Sequence, residues 1–260
     1  MKSSNNTILI TGGTTGIGFE LANQFLRLSN TVLITGRDRS RLDAAKAKLP
    51  GVHPFQSDAS DPKAIAALFD KVTHEFPDLN VLINNAGIMR RINLQEPGGQ
   101  SDDIGREIET NLIGPMRMAQ QFLPHLKKKE NAAIMNVSSG LAFVPLPVSP
   151  VYCAAKAGLH SFTLSLRVQL KNTRIKVFEL APPATQTDLL ANSDPEDMKG
   201  VSIMNVVDMV RRAIEGFKKD EIEIRPGQSN SLKLMSRIAP QFILNQLSKP
   251  VDRMLAESNK

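Results

Sequence analysis

Seven short runs rich in β-branched and apolar residues recur along this chain, at 7–11, 31–35, 52–56, 80–83, 132–137, 174–180 and 221–224, with a longer amphipathic segment between each and the next. That alternation disfavours hairpins, because a strand reached through a helical crossover re-enters its sheet parallel to the one before. The expected fold class is α/β: a single doubly wound parallel sheet of about seven strands flanked by helices. With 260 residues, 41% hydrophobic and 22% charged, the chain can bury the core that such a sheet needs. No internal repeat or low-complexity linker marks off a second domain.

Several function classes drop out on composition. The net charge is +6, but the basic residues are dispersed and no aromatic-rich surface accompanies them, so no nucleic-acid partner is expected. The opening MKSSNNTILITGG has too short an apolar stretch for a signal peptide, and no run reaches the about 18 apolar residues of a membrane span. Cytoplasmic localisation is the expectation. The lone Cys153 cannot form an internal disulfide and reads as packing. His53, His74, His125 and His160 are scattered, so no metal site is expected.

Two local patterns carry chemistry. Thr11-Gly12-Gly13-Thr14-Thr15-Gly16-Ile17-Gly18 follows the first strand and precedes the helix-like FELANQFLRLSN. Strand, glycine turn and helix in that order offer backbone N–H groups and a helix N-terminus to a pyrophosphate, the arrangement of a Rossmann-type nucleotide fold. The spacing is T-G-x-x-x-G-x-G, and a tight strand-to-helix connection would also use glycines. Tyr152 and Lys156, the second pattern, lie four apart and so share a helix face; an ammonium beneath a phenol of reference pKa about 10 lowers it toward neutrality and makes it an acid or base. Tyr152 is the only tyrosine in the chain, and Ser139 stands thirteen residues before it, at the end of NVSS.

Taken with Asp58 in FQSDAS, NNAG at Asn84 to Gly87, and Asn111 in ETNLIG, these motifs run in the order and spacing of the short-chain dehydrogenase/reductase family, which the chain resembles over essentially its whole length. The ELAPP-x-x-QTDL segment looks like the DltE-like subgroup of that family. The resemblance implies strand order 3-2-1-4-5-6-7 and hydride transfer between nicotinamide C4 and a carbonyl or alcohol carbon. It casts Tyr152 as acid/base, Ser139 as hydrogen-bond partner of the same substrate oxygen, Lys156 as the group that lowers the tyrosine and holds the ribose, and Asn111 as support for a proton path. Ser138 is the alternative serine; the thirteen-residue separation selects Ser139. The resemblance also places Thr11, Gly12, Thr14, Thr15, Gly16, Ile17 and Gly18 around the pyrophosphate. Asp58 and Ala59 go to the adenine, and Asn85, Ala86 and Gly87 to the ribose side. Tyr152, Lys156, Pro182, Thr185 and Thr187 complete the cofactor contacts. The asparagines of NNAG have a structural reading as well, tying the central strands by hydrogen bonds to backbone. Pro183 replaces the glycine many relatives carry, fixing φ and removing an N–H in that loop.

Cofactor choice is read at the end of the second strand, where Gly36-Arg37 replaces an acidic residue that would bind a ribose. A guanidinium suits a 2′-phosphate, so NADP(H) is expected, with NAD(H) as the alternative through Asp38. Residues 1–230 are taken as the nucleotide-binding domain with its catalytic site, and 231–260 as a helical tail extension of the same domain. Residues 140–150 and 188–204 should set specificity, and the apolar, proline-rich LAFVPLPVSP points to an apolar carbonyl substrate. The tail has apolar residues at helical spacing, with Pro240 and Pro250 limiting one straight helix; it would close the site, build an interface or lie on a membrane, and packing is preferred. Helices beginning near Asp102 and Val151 often pair in the family, so a homodimer or homotetramer is expected. The alternative to an enzyme is an NADP(H)-binding sensor with little catalysis.

Overall fold

A computed structural model describes residues 1–96, 101–191, 196, 198 and 200–258. Its seven strands are β1 (Thr7–Ile10), β2 (Thr31–Gly36), β3 (Val52–Gln56), β4 (Leu79–Asn84), β5 (Ala132–Val137), β6 (Ile175–Leu180) and β7 (Glu223–Ile224). They form one sheet in the order β3-β2-β1-β4-β5-β6-β7, as the resemblance implied, and every pairing is parallel. Between and after them run α1 (Gly16–Arg27), α2 (Arg39–Lys48), α3 (Pro62–Glu75), α4 (Ser101–Ile108), α5 (Gly114–Leu126), α6 (Pro150–Gln169), α7 (Asp188–Ala191), α8 (Val206–Lys218), α9 (Ser229–Ile238) and α10 (Pro240–Ser258). A π-helical turn, Glu109–Ile113, joins α4 to α5, and a 3₁₀ turn, Gly140–Ala142, follows β5.

The pleat divides the strands between two cores. Ile8, Ile10, Val32, Ile34, Val81 and Ile83 face α1, α2 and α8, packing on Leu21, Phe25, Leu42, Met209 and Phe217. Leu9, Leu33, Leu82, Ile134 and Val177 face the other way, onto Ile65, Val72, Phe122 and Leu166 of α3, α5 and α6. With both faces covered, the central strands β1, β4 and β5 are apolar over most of their length, interrupted by Asn80, Asn84 and Asn136, which is why they read as near-continuous runs.

Strand β7 is shorter than the expected 221–224. Glu221 spends its N–H on the Gly216 carbonyl at 2.9 Å and its carboxylate on Arg212, so it caps the end of α8 before the strand begins. In the tail, α9 begins at Ser229, just inside the domain boundary drawn at 230, and ends before Pro240, whereas Pro250 lies inside α10. Parts of the expected specificity segment 188–204, at 192–195, 197 and 199, fall outside the described residues. Among the described residues no helix is long and apolar enough to cross a membrane.

The consequence for function is positional. Chain order reverses at β1, whose neighbours are β2 and β4, and the carboxyl ends of β1 and β4 therefore border a crevice left by crossovers that leave in opposite directions.

Candidate active site

At the carboxyl end of β1 the chain turns on Gly12, whose φ of +65° lies in the left-handed region. A Cβ there would stand 2.8 Å from Ala86 Cα, and one on Gly18 would stand 2.3 Å from the Gly12 carbonyl oxygen and 2.4 Å from Asn85 Nδ2. The β1–α1 turn and the start of the β4 loop are thus pressed together without side chains. Thr11 Oγ1 accepts from the N–H groups of Asn85 and Ala86, both at 3.0 Å. Asn85 Nδ2 donates to the carbonyls of Thr11 and Gly12, at 2.9 and 3.1 Å. Thr15 precedes α1 with no side-chain capping bond, and no acidic residue stands in the first turn. A helix start left uncapped, next to Thr14, Gly16 and Ile17, fits a phosphate group.

Asn85 thus ties the β1 and β4 ends through backbone, the structural reading of NNAG, whereas Asn84 ties β4 to β5 through a side chain, its Nδ2 bonding Asn136 Oδ1 at 2.8 Å. Asp58 holds its own turn, accepting from the N–H and hydroxyl of Ser60, while the carbonyl of Ala59 lies 2.3 Å from where a Cβ on Gly114 would be. At the end of β2, Asp38 caps α2, taking hydrogen bonds from Ser40 N, Ser40 Oγ and Arg41 N that hold its carboxyl below the usual range. The side chain of Arg37 is exposed and has no partner among the described residues.

Across the crevice, α6 brings Tyr152 and Lys156 together. Both are buried, and Lys156 Nζ lies 5.7 Å from the centre of the tyrosine ring. The ammonium donates to the Val137 carbonyl at 2.8 Å, and a Cβ on Gly87 would come within 3.5 Å of it. Burial pushes Tyr152 up to about 12, opposed by its hydrogen bond with Ser139, and pushes Lys156 down to about 8. The expected lowering of the phenol by Lys156 is therefore not what this structure shows: loss of water around the phenolate outweighs the stabilisation available to it. Ser139 also accepts from Leu141 N at 3.1 Å, whereas Ser138 Oγ donates to Glu179 Oε1 at 2.5 Å. Ser139 rather than Ser138 meets the tyrosine.

Asn111 sits in the π-helical turn with its side chain closed around Ile88, donating to its carbonyl at 2.7 Å and accepting from its N–H at 2.9 Å. It fixes the segment after NNAG. Pro182 accepts from Gly140 N at 2.8 Å, Thr185 Oγ1 donates to the Pro183 carbonyl at 2.8 Å, and a Cβ on Gly16 would lie 3.2 Å from the Thr187 methyl. So Thr187 faces the glycine turn, while the hydroxyl of Thr185 is spent within its own loop. Cys153 is buried, with its thiol pushed up to about 11, and it packs on Leu146 as expected. No cluster of three metal-ligating side chains occurs among the described residues.

Glu107, one helical turn before Asn111, was not singled out by its sequence. It is fully buried, neither carboxyl oxygen has a hydrogen-bond partner of good geometry, and burial raises it to about 7. Arg90, Asp103 and Lys156 act on it, and its own charge reaches Tyr152 and Cys153. An acidic residue on a short helix reads as solvated; only the packing of α4 against α6 puts it inside.

A glycine turn at a topological switch point, facing a buried serine, tyrosine and lysine, defines a Rossmann-type oxidoreductase. The short chain dehydrogenase model matches residues 6–198. The chain is 42% identical over 250 residues, 95% of this chain and 98% of the other, to the uncharacterized oxidoreductase DltE of Bacillus subtilis (strain 168). It is 33% identical over 197 residues to the NADP-dependent 3-hydroxy acid dehydrogenase of Schizosaccharomyces pombe, covering 72% of this chain and 74% of that one. A short-chain dehydrogenase from Sphingobium yanoikuyae, solved with NADPH, superposes with a TM-score of 0.77 at 28% identity, covering 91% of this chain and 97% of that one. This chain belongs to the short-chain dehydrogenase/reductase family, in its DltE-like subgroup.

Proposed function

We propose that the protein is an NADP(H)-dependent carbonyl reductase with Tyr152 as proton donor. The observation that carries this is the buried Ser139–Tyr152–Lys156 set facing the glycine turn. A bound nicotinamide would supply the hydride. Ser139 holds the carbonyl oxygen, and Tyr152 gives its proton to the alkoxide that develops there. A phenol raised to about 12 stays protonated through neutral pH, which suits the reductive direction. The phenolate left behind has to regain a proton, and Lys156, buried beside the ring with Nζ 5.7 Å from its centre, supplies a positive charge that stabilises it until it does. Asn111 positions the loop beside them through Ile88.

NADP(H) rather than NAD(H) is supported by Gly36 at the end of β2, by the exposed Arg37, and by Asp38 being committed to capping α2. A relative that is NADP-dependent and a structure solved with NADPH support that choice, but structures solved with NAD and NADH share the fold as well, so the choice rests on the end of β2. An apolar substrate is supported by Phe143, Val144 and Pro145, which follow Ser139 in the chain and border a cleft of ≈ 220 Å³ with Ser236 of α9 and Pro240, Gln241, Ile243 and Leu244 of α10; Ser139, Tyr152 and Lys156 do not line it. On this reading α9 and α10 close the site, and the protein works in the cytoplasm as a homodimer or homotetramer. Oxidation of NADPH and NADH followed against apolar ketones and polar ketoacids tests the proposal. Turnover of apolar ketones with NADPH is expected; turnover of ketoacids alone, or with NADH alone, would overturn the assignment, and tight NADPH binding without turnover would favour a sensor.

A further inference from the structure

Behind the catalytic serine runs a second polar chain that proton transfer does not use. Glu179, on β6, is fully buried, yet both of its oxygens are filled: Oε1 by Ser138 Oγ at 2.5 Å and Oε2 by His160 Nδ1 at 2.7 Å. His160 stands four residues beyond Lys156 and eight beyond Tyr152 on α6, hence on the same side of that helix. Glu179 therefore grips both the segment that carries Ser139 and the helix that carries Tyr152. A carboxylate withdrawn from water is kept only where its lone pairs are satisfied, and both partners here are neighbours of reacting groups.

The local backbone converts that grip into a direction. Ser139 is extended, with φ −166° and ψ 157°, and in extended chain successive side chains point to opposite sides. Ser138 N–H is held by the Leu180 carbonyl at 2.8 Å, and its hydroxyl by Glu179. With Ser138 turned inward and fixed at two points, Ser139 is turned toward Tyr152. Outside this clamp, the ring of His160 meets Phe143 edge-on at 5.1 Å, and Lys233 of α9 lies 5.0 Å over Phe143 while pairing with Glu223.

We propose that Glu179, through Ser138 and His160, is a positioning residue that sets the direction of the Ser139 hydroxyl relative to Tyr152; this rests on the catalytic roles assigned above. Without it, the serine segment and α6 meet across the reacting bond but lose their rear tie. Misplacement of about 1 Å at a reacting group can cost on the order of a hundredfold in rate.

The test compares Glu179→Gln with Glu179→Leu in the full-length protein. Glutamine keeps an acceptor for Ser138 and, once the His160 ring shifts its proton from Nδ1 to Nε2, a donor for Nδ1 at nearly the same volume; leucine removes both. The Leu variant should lose about 30-fold or more in kcat, with KM for the ketone and Kd for NADPH within about threefold, and the Gln variant should recover kcat to within about threefold of wild type. If the Leu variant does not fold, Ser138→Ala removes one contact and should lower kcat about fivefold without moving KM. Unchanged kcat in the folded Leu or Ser138→Ala variant, or a loss that glutamine does not rescue, would overturn the proposal. Tyr152→Phe run alongside separates the two readings: turnover surviving there undermines the catalytic assignment itself, whereas an inactive Tyr152→Phe beside a fully active Glu179→Leu refutes the positioning role alone.

Discussion

Where β1 ends, the crevice is walled by backbone, with Gly12 and Gly18 letting two turns touch and Thr11 and Asn85 bonding main-chain groups, whereas where β5 and β6 end it is walled by buried ionisable side chains, Lys156 and Glu179, with Glu107 of α4 beside them. On the proposed function, the first wall recognises the nucleotide by shape and by N–H direction. The second adjusts proton affinity, because each buried group alters the cost of charging its neighbours. Changes at the first wall should accordingly appear in nucleotide affinity and stability, and changes at the second in rate and pH dependence.

At the first wall, the largest effect on nucleotide binding is expected at the glycine turn. A methyl added by Gly18→Ala must displace the Gly12 carbonyl or the Asn85 amide, at a cost of about 1–3 kcal/mol in overpacking, and should reduce NADPH affinity at least tenfold. Titration calorimetry with a parallel melting curve measures both; wild-type affinity with wild-type Tm would show that the turn is not tightly built.

Glu107 sharpens the other wall. Its folded-state pKa, about 7, lies above the ordinary 4.5, so the folded protein binds the extra proton between those values and stability falls as the pH rises through that range. Below about 4.5 the carboxyl is neutral in both states and the penalty is absent. Glu107→Gln should therefore raise stability at pH 8, by no more than about 3 kcal/mol, and leave it nearly unchanged near pH 4.5. Denaturant melts at the two pH values check this, and an equal change at both would refute the buried-carboxyl account. The smallest effect belongs to Arg37→Ala, which should weaken NADPH binding about tenfold while leaving NADH within twofold, as expected for one exposed phosphate contact. Equal losses for the two nucleotides would remove Arg37 from the cofactor choice.

The two walls also differ in how far their sequence exposed them. The glycine turn and the seven strands were legible, because glycine spacing and β-branched runs are local patterns that backbone geometry reads directly, whereas the strand order came only from the family resemblance. Tyr152, Ser139 and Lys156 were legible by spacing, and Ser139 over Ser138 follows the same spacing. Their proton affinities were not: the helix places Lys156 beneath the phenol, but the balance between its charge and the loss of water depends on everything packed around α6. Glu107 and Glu179 were illegible for the same reason, since an isolated acidic residue on a helix or strand signals solvent until tertiary packing closes over it. His160 packs on Phe143, and its bond to Glu179 joins residues far apart in the chain, which no local pattern reveals.

Single-turnover reduction of an apolar ketone by NADPH at pH 7, with wild-type protein and Tyr152→Phe side by side, tests the division most directly. Tyr152→Phe should bind NADPH within about threefold of wild type while losing on the order of 10²–10⁴ in the rate of the chemical step. A Tyr152→Phe protein that reduces the ketone at the wild-type rate, or that loses NADPH binding instead of rate, would contradict it.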